Sequence, residues 1–183
     1  EYDQGQRWWI KYTKPALIKE QLKSVINSFS PGVELLDYHI SNAEELGQPI
    51  EITVKFRGPK FLTSLGEERL IPILGGVSAD FVSREKRSYP LDFGGLRESK
   101  TLIQIKLPDS LRVKYLPPPI IKDTQWFTYI NRYAFSNSTV YFEELMRDKA
   151  TRISVDEYTQ YKEVYEELAR QTDKQVVLSK VTP

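Results

Sequence analysis

"WFTYINRYAFSNSTVYFEELM", residues 126–146, decides how this chain of 183 residues folds. In its first run, Phe127, Tyr129, Tyr133 and Phe135 recur at even spacing, and residues two apart line one face of a strand. The second run, "TVYFEELM" (139–146), has the same β-prone texture. Between them stands the short polar triplet Ser136–Asn137–Ser138. Two such runs joined by a short Asn/Ser loop predict an antiparallel hairpin. The sequon "NST" (137–139) falls in that loop and reads as turn chemistry rather than as a glycan site.

Upstream, "TLIQIKL" (101–107) sets Ile103, Ile105 and Leu107 on one side, with Gln104 and Lys106 opposite. It runs into "LPDSLRVKYLPPPI" (107–120), with four prolines in fourteen positions. A ligand for a proline-reading groove is extended, polar and free of strand pattern. Here Leu111, Val113 and Tyr115 alternate as a short strand, and proline lacks the N–H a sheet interior needs. The prolines therefore read as punctuation, Pro108 ending one strand and Pro117 to Pro119 ending the next.

Downstream, "SVDEYTQYKEVYEELARQ" predicts a helix opened by a capping box of Ser154 and Glu157. Tyr158, Tyr161, Tyr165 and Leu168 form its buried stripe. "QVVLSKV" (175–181) closes the chain as a strand. At the front, "RWWIKYT" (7–13) reads as an aromatic strand. A helix follows, with Pro15 in its first turn and a stripe of Leu17, Ile18, Leu22, Val25, Ile26 and Phe29, ended by "SPG" (30–32). "VELLDYHIS" (33–41) and "IEITVKF" (50–56) alternate as strands. "ERLIPIL" is a possible further one. The expected class is α+β and β-dominated: a small αβ subdomain at 1–83, then a β-sandwich-like domain with a C-terminal helix at 84–183.

Composition narrows the function. Lys and Arg number 26 against 25 Asp and Glu, so no net field recruits nucleic acid. The absence of cysteine removes disulfides, thiolate metal sites and cysteine nucleophiles together. Runs such as "LIPIL" (70–74) fall far short of the ~18 apolar residues that span a bilayer, so no membrane-spanning segment is expected. The chain opens "EYDQGQ", without Met or a signal-peptide pattern, and reads as an excised fragment or mature product.

Chemistry-bearing residues are sparse. His39, the single histidine, shares a predicted strand face with Leu35, Asp37 and Ser41. Asp37 and His39 side by side can orient a general base, but no G-x-S-x-G or S-x-x-K motif supplies a nucleophile. Of the paired acids Glu44–Glu45, Glu67–Glu68, Glu143–Glu144 and Glu166–Glu167, neighbours on a strand point to opposite faces and so do not converge as catalytic carboxylates, and those on the tail helix read as solvated charge. With one histidine and no calcium-loop spacing, no metal site is expected. Gly75–Gly76 and Gly94–Gly95 lack a phosphate-loop fingerprint. "REKR" (84–87) reads as a charged strand edge. Trp8, Trp9 and Trp126 are the candidates for contact with a glycan or peptide, against a packing role. No catalytic, cofactor-binding or metal residue is assigned.

The order of "RSYPLDF" (87–93), "IQIKLPDSLRVKYLPPPI" (103–120), "FTYINRYAFSNSTVYFEELM" (127–146), "DEYTQYKEVYEELAR" (156–170) and "QVVL" (175–178) resembles the C-terminal domain, of uncharacterised function, of bacterial transglutaminase-like proteins. More loosely, the "PG" before "VELLDYHISN" and the stretch "QPIEITVKF" are similar to the segment that precedes it. The resemblance implies a parent with a Cys–His–Asp core, a bacterial cell-envelope setting, and an upstream catalytic domain as partner. The triad has no counterpart here, because the chain has no cysteine and His39 stands in another context. The expectation is a non-catalytic accessory module without a cofactor; the alternative is a carbohydrate- or peptide-binding module of the envelope.

Overall fold

A computed structural model describes residues 2–58 and 60–181, and the chain separates into two units, residues 1–63 and 64–183. The front unit runs α1 (Tyr2–Tyr12), α2 (Pro15–Phe29), β1 (Glu34–Ser41) and β2 (Glu51–Arg57). The strand expected at 7–13 is therefore the second half of a helix. Two contacts explain the change. Arg7 is buried, with its guanidinium donating to the carbonyls of Asn42 and Gln48. The Trp8 and Tyr12 rings, one helical turn apart, sit 5.4 Å from each other. Contacts of this kind override the β preference of aromatic residues.

Pro15 opens α2 as expected. Ile18 and Ile26 are buried and Leu22 half-buried, four residues apart, while Leu17 and Val25 are exposed. The inner stripe is thus narrower than the sequence suggests; the Phe29 side chain lies outside the described residues. Strands β1 and β2 pair antiparallel with a bulge between Leu35 and Asp37. The extra residue moves Leu35 onto the face of Tyr38 and Ile40, opposite Phe56, Val54 and Ile52, because a one-residue insertion inverts the alternation.

The rear unit holds β3 (Thr63–Leu65), which starts at the boundary, β4 (Glu68–Leu70), β5 (Leu91–Asp92), β6 (Glu98–Lys106), β7 (Leu111–Tyr115), β8 (Ile120–Asp123), β9 (Phe127–Ser136), β10 (Thr139–Asp148), β11 (Arg152–Ile153), α3 (Tyr158–Thr172) and β12 (Val177–Lys180). Its sheets have the orders β6-β10-β9-β8, β3-β4-β12-β7 and β11-β5, and the pairs β6–β10, β10–β9, β9–β8, β4–β12, β12–β7 and β5–β11 are antiparallel. The fold is α+β and β-dominated. The units meet at 63/64, ahead of the expected boundary at 83/84, because β4 hydrogen-bonds to β12, with Leu70 opposite Val177.

The hairpin forms as its sequence predicts. Register runs unbroken from Thr139 opposite Ser136 to Asp148 opposite Phe127. Asn137 (φ 49°) and Ser138 (φ 57°) are left-handed, the primed-turn geometry whose twist matches the strands it joins. Pro108 follows β6, and Pro117 to Pro119 separate β7 from β8.

Ahead of α3, the Glu157 N–H donates to Ser154 Oγ (3.3 Å) while the Ser154 N–H and hydroxyl donate to Glu157 Oε2 (3.1 and 2.6 Å). This is the reciprocal box expected from the sequence. Tyr158, Tyr161 and Leu168 then pack with Trp126 and, on β9, Phe127 and Tyr129, with Tyr165 against them. Tyr161 is the centre: its ring lies 5.4 Å from Trp126, 6.1 Å from Phe127 and 5.6 Å from Tyr165. Each such pair adds about 0.5–1.5 kcal/mol beyond the area buried.

Candidate functional site

The acid pair on β10 shows how the rear unit uses its charges. Glu143 and Glu144 are adjacent, so the pleat sends them to opposite faces. Glu143 points outward between Lys100 of β6 (3.0 Å) and Arg132 of β9. Those two cations hold its carboxyl below the usual range, Lys100 contributing most. Further along the same face, Arg147 pairs with Glu98 and lowers that carboxyl likewise. At the sheet end Lys149 reaches Asp123 (2.5 Å) and Arg97 reaches Asp148 (3.1 Å). Exposed pairs of this kind add little to stability, because water and salt screen them. They fix strand register more than they stabilise.

Glu144 points inward. Its Oε1 accepts the Tyr129 hydroxyl (2.5 Å) and the Gly76 N–H (2.7 Å), and Asn131 Nδ2 donates to the same tyrosine oxygen (3.1 Å). Tyr129 and Asn131 are buried. The Tyr129 phenol is pushed well above its ordinary value, first by burial and then by the Glu144 carboxylate it bonds. Burial likewise drives Tyr133 and Tyr165 up to about 12. These phenols stay neutral donors at any physiological pH. The network ties the extended segment around Gly75–Gly76 to β9 and β10.

That tie explains the glycine pair. A Cβ on Gly75 would stand 2.6 Å from Phe142 Cζ and 2.7 Å from Glu144 Oε1, and one on Gly76 would stand 3.0 Å from Thr172 Oγ1. Gly75 is needed for close approach and Gly76, at φ 127°, for its conformation as well. Gly94 (φ 74°) turns the chain between β5 and β6, and nothing lies near it. Sequence reasoning missed the Glu144 network, since its only trace is a Gly-Gly pair distant from the hairpin.

The remaining candidates separate. Asp37 and His39 lie on the exposed face of β1, and the Asp37 carboxylate accepts the neighbouring Tyr38 N–H (2.9 Å). Trp126 is buried, its indole N–H donating to Glu157 Oε1 (3.3 Å), so it is core and not a ligand platform. Trp8 is 65% exposed. Trp9, on the same helix, lines a groove of about 460 Å3 with Thr13, Leu17, Glu20, Gln21 and Ser24. Residues 84–87 lie in an irregular segment, not on a strand edge. Other paired acids meet cations: Glu44 with Lys11 (4.0 Å), Glu68 with Lys114, Glu166 with Lys162 (2.9 Å), Glu167 with Lys122 (3.1 Å). Among the described residues no group of three or more His, Asp or Glu could hold a metal ion, and no helix is long and apolar enough to cross a membrane.

Residues 72–178 match the family described as "Domain of Unknown Function with solved-structure structure (DUF3858)". No curated protein matches the sequence. Among solved structures, the chain is similar to the crystal structure of a "putative protease from Parabacteroides distasonis ATCC 8503", with a TM-score of 0.51, 10% identity, and coverage of 63% of this chain and 24% of that one. At that identity the likeness speaks for the fold alone, and this chain spans about a quarter of that protein's length.

Proposed function

Since the chain belongs to the DUF3858 family, we propose that it is a non-catalytic accessory module of a bacterial transglutaminase-like protein of the cell envelope, packing on or positioning the catalytic core. One observation carries the reading: the rear unit's adjacent acids Glu143 and Glu144 diverge to opposite sheet faces, each engaged in holding strands together. A hydrolase needs such groups to converge on a substrate. The succession of motifs from "RSYPLDF" to "QVVL" supports the transglutaminase-like parent. The test is turnover by the purified chain on amide-transfer, peptide and glycan substrates. None is expected; turnover at about 1 s⁻¹ or faster, the ordinary enzymatic range, contradicts the proposal.

A second reading is favoured by the exposed Trp8–Tyr12 pair beside the α1–α2 groove: a carbohydrate- or peptide-binding module, with aromatic rings as its platform. A saturable fluorescence response to cell-wall fragments, lost in Trp8→Ala, selects it over the first. The same response in Trp8→Ala and wild type rejects it.

A further inference from the structure

Arg84, Lys86 and Arg87, with Ser88 and Tyr89, line a cavity of about 200 Å3. None of the three cations meets a carboxylate among the described residues, whereas Lys100, Arg132, Arg147 and Lys149 of the same unit each do. Glu85, in the same segment, is exposed and pairs with none of them. Three unpaired cations within four residues repel one another and concentrate positive potential at one spot.

The segment is nonetheless fastened. The Tyr158 hydroxyl donates to the Arg84 carbonyl (2.7 Å), and Arg87 Nη2 donates to the Phe81 carbonyl (3.2 Å). The Arg87 guanidinium lies 5.3 Å from the centre of the Tyr158 ring. Its Nε is buried and has no hydrogen-bond partner among the described residues, an arrangement that is unfavourable unless an acceptor arrives.

The geometry points to an oxyanion site here, taking a carboxylate or phosphate group. A guanidinium fork matches either group, and the Ser88 and Tyr89 hydroxyls are further donors. Size decides against a whole organic ligand: such pockets span roughly 300–1,000 Å3. This cavity holds roughly six or seven waters at about 30 Å3 each, enough for an ionic group at the end of a longer molecule.

The experiment follows backbone amide shifts of the ¹⁵N-labelled full chain during titration with inorganic phosphate and, separately, acetate, at constant ionic strength balanced with chloride. Saturable shifts confined to residues 84–89 are expected with at least one probe; phosphate alone assigns a phosphate source, acetate alone a carboxylate source. Arg87→Lys, which keeps the charge but loses the fork, weakens binding about tenfold, and Lys86→Gln, at an exposed position, weakens it severalfold. Shifts of equal size around the exposed Lys106, Lys174 and Lys180, no saturation by either probe, or unchanged affinity in folded Lys86→Gln and Arg87→Lys each overturn the assignment.

Discussion

Adding one methyl group at Gly75 tests the network beneath the hairpin. Gly75 keeps a backbone conformation open to alanine, so the cost of Gly75→Ala is contact alone. The new carbon would lie 2.6 Å from Phe142 Cζ, against the usual carbon separation of about 3.5–4.0 Å, so ring or backbone must yield by roughly 1 Å. Phe142 is 2% exposed and cannot swing into solvent; overpacking a closed core costs about 1–3 kcal/mol. Shifting the segment also stretches the bond from the Gly76 N–H to the Glu144 carboxylate, and a hydrogen bond to a charged group is worth about 1.5–3 kcal/mol. The two effects overlap, and the expected loss is about 2–4 kcal/mol. Gly95→Ala is the control, since nothing lies within 4 Å of its added carbon; it should change stability by no more than about 0.5–1 kcal/mol, toward greater stability. Urea unfolding followed by amide signals of β9 and β10 reports both. A loss below about 0.5 kcal/mol in Gly75→Ala, or an equal loss in Gly95→Ala, refutes the reasoning.

Asn137→Gly should be tolerated, whereas Asn137→Val, a branched residue at φ 49°, should cost about 1–2 kcal/mol, read from the shift of the unfolding midpoint. Ser154→Ala removes the hydroxyl of the box ahead of α3 and should cost about 0.5–2 kcal/mol. The Glu157 carboxyl is lowered chiefly by Ser154, so its contribution is present above the ordinary carboxyl range and fades as pH falls through the depressed value; Glu157→Gln should flatten this part of an acid titration followed by circular dichroism. On the alkaline side, Tyr133 and Tyr165 ionise near 10 when unfolded and near 12 when folded. Stability should be full below pH 10 and fall as pH rises from 10 to 12, with the share of the 295 nm tyrosinate absorbance that belongs to the buried phenols appearing together with loss of structure; ionisation of Tyr133 and Tyr165 in a still-folded chain contradicts this.

The hairpin, the proline punctuation and the tail helix were legible because each is specified locally, by even spacing, by missing N–H groups, or by a cap three residues from its partner. α1 was not, because Trp8 and Trp9 carry β preference and the contacts that overrule it, from Arg7 to Asn42 and Gln48, lie far along the chain. The bulge at Leu36 inverts a face without altering composition. The pairing of β4 with β12 spans the whole rear unit, and β5 and β11 have two residues each, too few for a pattern. At the candidate sites, the divergence of Glu143 and Glu144 followed from strand geometry alone, whereas the burial of Trp126 depends on a helix thirty residues later.

Glu144→Gln measures the central claim most directly, with urea unfolding and turnover on amide, peptide and glycan substrates recorded for variant and wild type side by side. The predicted result is a clear loss of stability in the rear unit, about 1–3 kcal/mol as the buried Tyr129 hydroxyl and the Gly76 N–H lose their charged acceptor, with no turnover by either protein. A wild type that turns over substrate, and a variant that keeps its fold but loses that activity, would contradict it.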